Sequence, residues 1–254
     1  MTERAPILRI RGVTKVFGGI RAIDGIDLDL RASECLGIIG PNGAGKTALV
    51  NVISGFYKPS AGEIRFGDAD IARLKLHQIG RLGIARTYQN VRLFRRMTVL
   101  ENVLVGVRAF SLQPLRSAFA FGRGPAERSR AMALLERFGL AGRADVLAGT
   151  LAYGEARRLE IVRALAVGPR VLLLDEPAAG MNDEETAQLI EDIRASRSLV
   201  EALILIEHDM RLISALADRV LAMENGRKIS EGLPQAVLAH PRVREAYLGL
   251  ESTE

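Results

Sequence analysis

Gly40-Pro41-Asn42-Gly43-Ala44-Gly45-Lys46-Thr47, reached from the apolar run Leu36-Gly37-Ile38-Ile39, decides the fold of this chain. The apolar run reads as a strand that delivers the backbone into a tight loop. Glycines there accept dihedrals closed to other residues and leave no Cβ in the way, so successive N–H groups can point at phosphate oxygens. Lys46 adds a mobile positive charge for the β- and γ-phosphates. The Thr47 hydroxyl is set to ligate Mg2+ at the start of a helix whose dipole favours anions. The expected chemistry is therefore work on a nucleoside triphosphate.

Upstream of the loop, residues 7–12 and 26–31 read as strands. In the second, Ile26, Leu28 and Leu30 alternate with Asp27, Asp29 and Arg31, as for a sheet with one face in water. Gly18-Gly19 is a turn between these early elements. Phe17 before it is either a core aromatic, which the local sequence favours, or an exposed ring offered to a base.

Downstream, a helix over 46–54 ends at Gly55, a turn spans 58–62 and a short strand covers 63–66. Residues 84–89 read as a strand leading into a polar corner. Val99, Leu100, Val103, Leu104 and Val107 follow helical spacing behind a Thr98 cap with Glu101 three residues on. Residues 111–125 carry scattered Gly, Pro and Arg without a period and are expected to be a flexible insertion. Helical pattern returns at 126–138 and at 155–166, where Leu159, Ile161, Val162 and Leu165 are set against Arg157, Arg158 and Arg163. The all-apolar 171–174, a helix at 183–195, a strand at 202–206 and a helix at 210–217 then alternate as in a layered α/β sheet. Strands 219–223 and 227–230 flank Glu224-Asn225-Gly226, a hairpin signal.

The chain has 254 residues, a formal charge of +5 and one cysteine, Cys35. That size suits one α/β unit with an added lobe or two small domains. A single cysteine excludes an internal disulfide framework, and Cys35 is expected as a buried small hydrophobe. Charged residues interrupt every stretch of about 18 that could span a membrane, and residues 1–6 lack the apolar segment of an export signal, so a cytoplasmic location is expected. The basic excess is compatible with nucleic acid or an anionic membrane surface, and no block of basic residues is long enough to decide between them and an ordinary solvated surface.

Asp175 and Glu176 stand directly after the apolar 171–174, at the carboxyl end of a central strand where ligands gather in open sheets. Asp175 is placed to hold Mg2+ opposite Thr47, and Glu176 to polarise an attacking water. His208 follows the next apolar strand and can reach the terminal phosphate or the water. The Gln89 amide can ligate a metal or orient water. Leu151-Ala152-Tyr153-Gly154-Glu155 opens a helix whose N–H groups form a second anion site. With no local client for it, that site hints at phosphate supplied from another subunit.

In this order the motifs resemble the nucleotide-binding subunits of ABC transporters over essentially the whole chain. The resemblance implies a P-loop NTPase fold in its ABC ATPase form: a RecA-like core with an antiparallel β subdomain, from 1–90 and 160–254, and an α-helical subdomain at 91–159. It makes Gly40–Thr47, followed by Ala48, the Walker A nucleotide site, Gln89 the Q-loop residue and a Mg2+ ligand, and Leu151–Glu155 the signature. It likewise makes Asp175 and Glu176 the Walker B end, Ala179-Gly180-Met181-Asn182-Asp183 the D-loop and His208 the switch histidine. Phe17 falls where the family stacks an aromatic on adenine, which reverses its bare reading as a core residue. ATP and Mg2+ are the implied ligands.

Residues 83–90, Tyr153-Gly154 before Arg157–Ile161, Glu176–Gly180 and the ending Glu245-Ala246-Tyr247-Leu248-Gly249 resemble the branched-chain amino acid importer branch, in its longer ATPase subunit. That resemblance implies a second ABC ATPase subunit, as a heterodimer in the assembly with a homodimer as the alternative for isolated subunits. It also implies two membrane permeases, a periplasmic solute-binding protein, and a place on the inner face of the plasma membrane. Urea, amides and other small solutes are served by the same branch. A soluble ABC-type ATPase acting on nucleic acid or ribosomes would predict duplicated cassettes, coiled-coil insertions or zinc modules, against the single cassette here. A regulatory nucleotide binder that never hydrolyses ATP is opposed by Glu176 and His208. Three positions depart from the family pattern: Ala152 replaces serine, Glu155 replaces glutamine and Ala48 replaces a second threonine.

Overall fold

The computed structural model describes residues 5–89, 91–109 and 124–248. Most of the insertion expected at 111–125, and Asn90 and Gly249 of the quoted motifs, lie outside the described residues.

Two sheets organise the molecule. β1 (Leu8–Phe17) and β2 (Ile20–Leu30) form an antiparallel hairpin, which β4 (Ala61–Phe66) and β5 (Ala69–Asp70) extend in the order β2-β1-β4-β5. Both strands of the hairpin are longer than the sequence pattern indicates. Gly18 and Gly19, with φ of 50° and 94°, make a two-residue turn that carries pairing up to Phe17↔Ile20. Irregular register after Ile10 interrupts the alternation that would otherwise have marked β1 as one strand.

The larger sheet joins β3 (Cys35–Ile39), β6 (Ile84–Arg86), β7 (Val171–Asp175), β8 (Ala202–Ile206), β9 (Arg219–Glu224) and β10 (Arg227–Gly232) in the order β10-β9-β3-β8-β7-β6. All neighbours are parallel except β10, which returns against β9 through the Asn225-Gly226 turn. The central strands are buried on both faces: Leu36, Ile38, Leu173 and Ile204 face one core, while Cys35, Ile39, Leu172 and Leu205 face the other. Complete burial of each Leu or Ile stabilises the fold by about 1.5–3 kcal/mol, which explains the unbroken apolar runs. The first core is closed by the antiparallel sheet and α1 (Lys46–Ile53). The second is closed by α3 (Val99–Arg108), α4 (Pro125–Arg137), α5 (Tyr153–Ala166), α6 (Asp183–Arg197) and α7 (Met210–Leu216).

The short helices α2 (Leu76–Leu82), α8 (Pro234–Leu238) and α9 (Pro241–Leu248) have no counterpart in the sequence reading. Segments of this length carry too few turns for a clear period. The Thr98 cap is present as expected, with its hydroxyl accepting from Glu101 N at 3.1 Å and Glu101 accepting from Thr98 N at 2.7 Å. β6 stops at Arg86 rather than at Gln89. It is an edge strand, and past Thr87 its carbonyls are taken by Arg157 instead of a neighbouring strand.

The helix at 155–166 also differs: it begins at Tyr153, and Arg157 is not on a solvated face. Arg157 is fully buried beside Glu160.

Candidate functional site

Strand register brings the motifs to one edge. Ile38 pairs with Ile206, and Ile206 with Asp175, so β3, β8 and β7 end level with one another. Gly40 follows β3 by one residue, Glu176 follows β7 by one, and His208 follows β8 by two. The phosphate loop, the acidic pair and the histidine are therefore neighbours at the carboxyl edge of the sheet.

The loop curls because Gly40, Gly43 and Gly45 adopt φ of 153°, 79° and 97°. A Cβ on Gly45 would stand 2.2 Å from the Ala22 carbonyl oxygen, so close contact with β2 adds a steric demand to the dihedral one. Lys46 is buried, and its ammonium donates to the carbonyls of Gly40 at 2.6 Å and Pro41 at 3.0 Å. Burial pulls its pKa down, against the opposing pull of Glu176 and Asp175. Thr47 and Ala48 lie in the first turn of α1, with Thr47 exposed.

Asp175 is buried and paired with Arg86 at 2.8 Å. Its Oδ1 has no hydrogen-bond partner. Burial raises its pKa, with Arg86 as the largest opposing influence. Arg86 also donates to Asn51 Oδ1 at 2.5 Å, which ties β6 to α1 beneath the loop. Glu176 has φ of 46°, left-handed for a non-glycine residue, and this turns its carboxylate out of the strand direction. Gln89 Nε2 donates to Glu176 Oε2 at 2.7 Å. His208 is exposed beside Glu207, which is fully buried and accepts from the N–H groups of Ala178 at 2.8 Å and His208 at 3.1 Å. One carboxylate thus supports both the turn after Glu176 and the loop bearing His208, while burial raises its pKa.

Phe17 is 38% exposed, edge-on to Tyr57 with centroids 4.9 Å apart, and Lys15 Nζ lies 4.8 Å from its centroid. The bare reading of Phe17 as a core aromatic, already reversed by the family resemblance, does not hold: it ends β1 at the glycine turn, half-covered by Tyr57 and Lys15.

Leu151 to Glu155 keep contacts away from the phosphate loop. Tyr153 Oη donates to Ala179 O at 2.7 Å, Gly154 N donates to Glu185 at 3.2 Å, and Arg143 pairs with Glu155 at 3.1 Å. Ala152 is the N-cap of α5 and has no side-chain acceptor to offer, although Glu155 accepts from its N–H at 3.3 Å. Ala179–Met181 form a turn with Gly180 at φ 79°, and Asn182 caps α6 by accepting from Glu185 N at 2.9 Å. Asp183 pairs on the surface with Arg211.

Arg157 connects these pieces. Its guanidinium donates to Tyr88 O at 2.7 Å, Gln89 O at 2.6 Å, Glu160 at 2.9 Å and Tyr153 Oη at 3.2 Å. The sequence reading missed Arg86, Arg157, Glu185 and Glu207. The Arg157/Glu160 pair at i, i+3 was a usable signal, since one helical face carries both.

The chain as a whole is similar to known proteins. The model of the ABC transporter family matches residues 23–179, and that of the branched-chain amino acid ATP-binding cassette transporter matches residues 227–251. The high-affinity branched-chain amino acid transport ATP-binding protein LivG of Salmonella typhimurium is 42% identical over 250 residues, covering 96% of this chain and 98% of that protein. BraF of Pseudomonas aeruginosa, described in the same words, is 42% identical over 252 residues with the same coverage. The ADP conformation of MJ1267, an ATP-binding cassette of an ABC transporter, superposes with a TM-score of 0.87 at 32% identity, covering 97% of this chain and all of that one.

Proposed function

The chain belongs to the ABC transporter family, in the branch of the LivG- and BraF-type ATP-binding proteins, and on that premise we propose that it binds and hydrolyses ATP to power import of branched-chain or related small amino acids. The observation that carries the reading is the convergence of the phosphate loop, Asp175-Glu176 and His208 on one sheet edge.

Lys46 and the loop N–H groups bind the phosphates, and Phe17 offers its exposed face to the adenine. Glu176 takes a proton from the attacking water as that water adds to the γ-phosphorus, and ADP leaves. Gln89, 2.7 Å from the Glu176 carboxylate, and His208 orient the water and the terminal phosphate. The exposed Thr47 hydroxyl, the unpartnered Asp175 Oδ1 and the Gln89 amide suit a Mg2+ ion, which would neutralise phosphate charge. No helix of the described residues is long and apolar enough to cross a membrane. Separate permease subunits form the path for the solute.

A second ATPase subunit completes each nucleotide site with its signature, and ATP-driven closure followed by hydrolysis resets the permease. The cytoplasmic part of a permease docks in the cavity of about 350 Å³ lined by Leu76, Tyr88, Phe94, Val105 and Arg163. Leu76 and Phe94 expose apolar surface there, and Tyr88 carries the movement to the adjoining Gln89.

The signature of this chain serves the partner's nucleotide with Ala152 in place of a hydroxyl. Ala152→Ser supplies the missing cap and is expected to stabilise the subunit by about 0.5–2 kcal/mol. It is also expected to raise hydrolysis at the site that uses this signature. Thermal melting and single-site ATPase assays of the assembled pair check both effects, and an unchanged hydrolysis rate would remove any role for residue 152.

The whole reading is tested by reconstituting the protein with its permeases and partner ATPase in liposomes. ATP hydrolysis should rise when binding protein loaded with leucine, isoleucine or valine is supplied. Stimulation by urea, an amide or another small solute that is not an amino acid, and by no amino acid, would overturn the substrate class, and absence of hydrolysis would overturn the function.

A further inference from the structure

Residues 227–251, the segment matched by the second family model, include an element with no part in the mechanism above: α9, which carries Tyr247. We propose that Tyr247 is a positioning residue of the phosphate loop, so that docking of the C-terminal helix and binding of ATP favour one another. The proposal rests on Gly40–Thr47 being the ATP site.

Gly40 carries a backbone N–H in need of a partner. β3 pairs with β8 as far as Ile38 and with β9 as far as Ile39. Gly40, the next residue, has left both ladders while still buried. A buried N–H without a partner is costly, and no strand supplies one here. The partner comes from 207 positions further along: Gly40 N donates to Tyr247 Oη at 2.7 Å.

The opposite side of Gly40 is equally constrained. A Cβ there would stand 2.3 Å from the Met223 carbonyl oxygen, so the loop base is held against β9 on one side and α9 on the other. The carbonyl of the same residue accepts from Lys46 Nζ at 2.6 Å. Gly40 therefore joins the C-terminal tyrosine to the phosphate-binding lysine through two consecutive hydrogen bonds.

α9 is docked firmly enough to act as the anchor. Val243 is buried, and the Tyr247 ring packs against the core formed by the helices. Burial pushes the pKa of the Tyr247 hydroxyl up to about 12, so it remains a neutral acceptor at working pH. Without the hydroxyl, Gly40 must seek another partner and the loop relaxes among several shapes. ATP then binds only the fraction that keeps the cradle. By linkage, bound ATP must in turn strengthen the docking of α9.

The test uses the purified full-length protein, Mg2+ and the fluorescent nucleotide mant-ATP. Tyr247→Phe keeps the ring and removes only the hydroxyl. It should weaken nucleotide binding about five- to tenfold, as for a loop that is competent about 10–20% of the time. In the wild type, ATP should slow hydrogen exchange of the amides at 242–248, and Tyr247→Phe should abolish that slowing. A merely structural tyrosine would lower the melting temperature without moving either readout.

Wild-type affinity in a folded Tyr247→Phe protein would overturn the proposal, as would ATP-independent exchange at 242–248 in the wild type. The second measurement needs no variant and decides the question even if Tyr247→Phe fails to fold. A wild-type protein that binds no mant-ATP would overturn the functional reading itself, a different failure.

Discussion

Glu176→Gln is expected to lower ATP turnover by about 10²–10⁴-fold while leaving ATP binding in place. The substitution is isosteric, and the Glu176 backbone at φ 46° needs no change. Gln89 Nε2 can still donate to the amide oxygen that replaces the carboxylate atom 2.7 Å away. What disappears is the ability to take a proton from water. Lys46 and the loop, which hold the phosphates, are untouched in position, although removal of one nearby negative charge favours the phosphates slightly. Closed, ATP-bound pairs of subunits should accumulate because the step that reopens them is blocked. Phosphate release and mant-ATP binding, measured on the same preparation, separate the two effects. Full turnover in Glu176→Gln would exclude Glu176 as the base.

Arg157→Ala is expected to destabilise the subunit by about 3–5 kcal/mol, the range for breaking a buried ion pair by deleting one partner. Arg157 and Glu160 have side chains 0% and 2% exposed, so water cannot replace the lost charge. Burial already raises the Glu160 pKa, and Arg157 is the largest influence against it. In the variant the Glu160 pKa rises further above its unfolded value. That contribution favours folding at low pH and is lost as pH rises, so the deficit should shrink on acidification. The carbonyls of Tyr88 and Gln89 also lose their donor, which frees the segment that carries Gln89 to Glu176. Replacing both partners, as in Arg157→Met with Glu160→Leu, should recover much of the stability without restoring the Gln89 position. Urea unfolding at two pH values checks the first part, and ATPase of the double variant the second. A loss below about 1 kcal/mol would show that the pair is compensated by other groups.

The parts of the candidate site that were legible beforehand share one property: short stretches of backbone create them. Gly40–Thr47 needs only its own glycines and the strand before it. Asp175-Glu176 and His208 are marked by the apolar runs that precede them. Arg157 was misread because an arginine among alternating apolar residues ordinarily faces water, whereas here its partners come from residues 88 and 89 as well as its own helix. The residues around Phe17 left its role open, since a lone aromatic carries no directional information, and only the family resemblance assigned it to the adenine; its exposure of 38% agrees with a ring outside the core. The end of β6 was misplaced for a related reason: residues 87–89 suit a strand, but β6 lies at the sheet edge and Arg157 competes for its carbonyls.

By itself the sequence determined that a strand enters a phosphate-binding loop, that apolar strands alternate with helices, and that acids and a histidine stand at strand ends. These follow from dihedral freedom and side-chain period, which act over a few residues. Only the tertiary structure decided that Ile38, Ile206 and Asp175 lie level, that one buried carboxylate, Glu207, supports two loops, and that Tyr247 meets Gly40 across 207 positions. Those relations arise because buried donors, acceptors and charges must find partners wherever packing brings them together, and sequence separation places no limit on where that is.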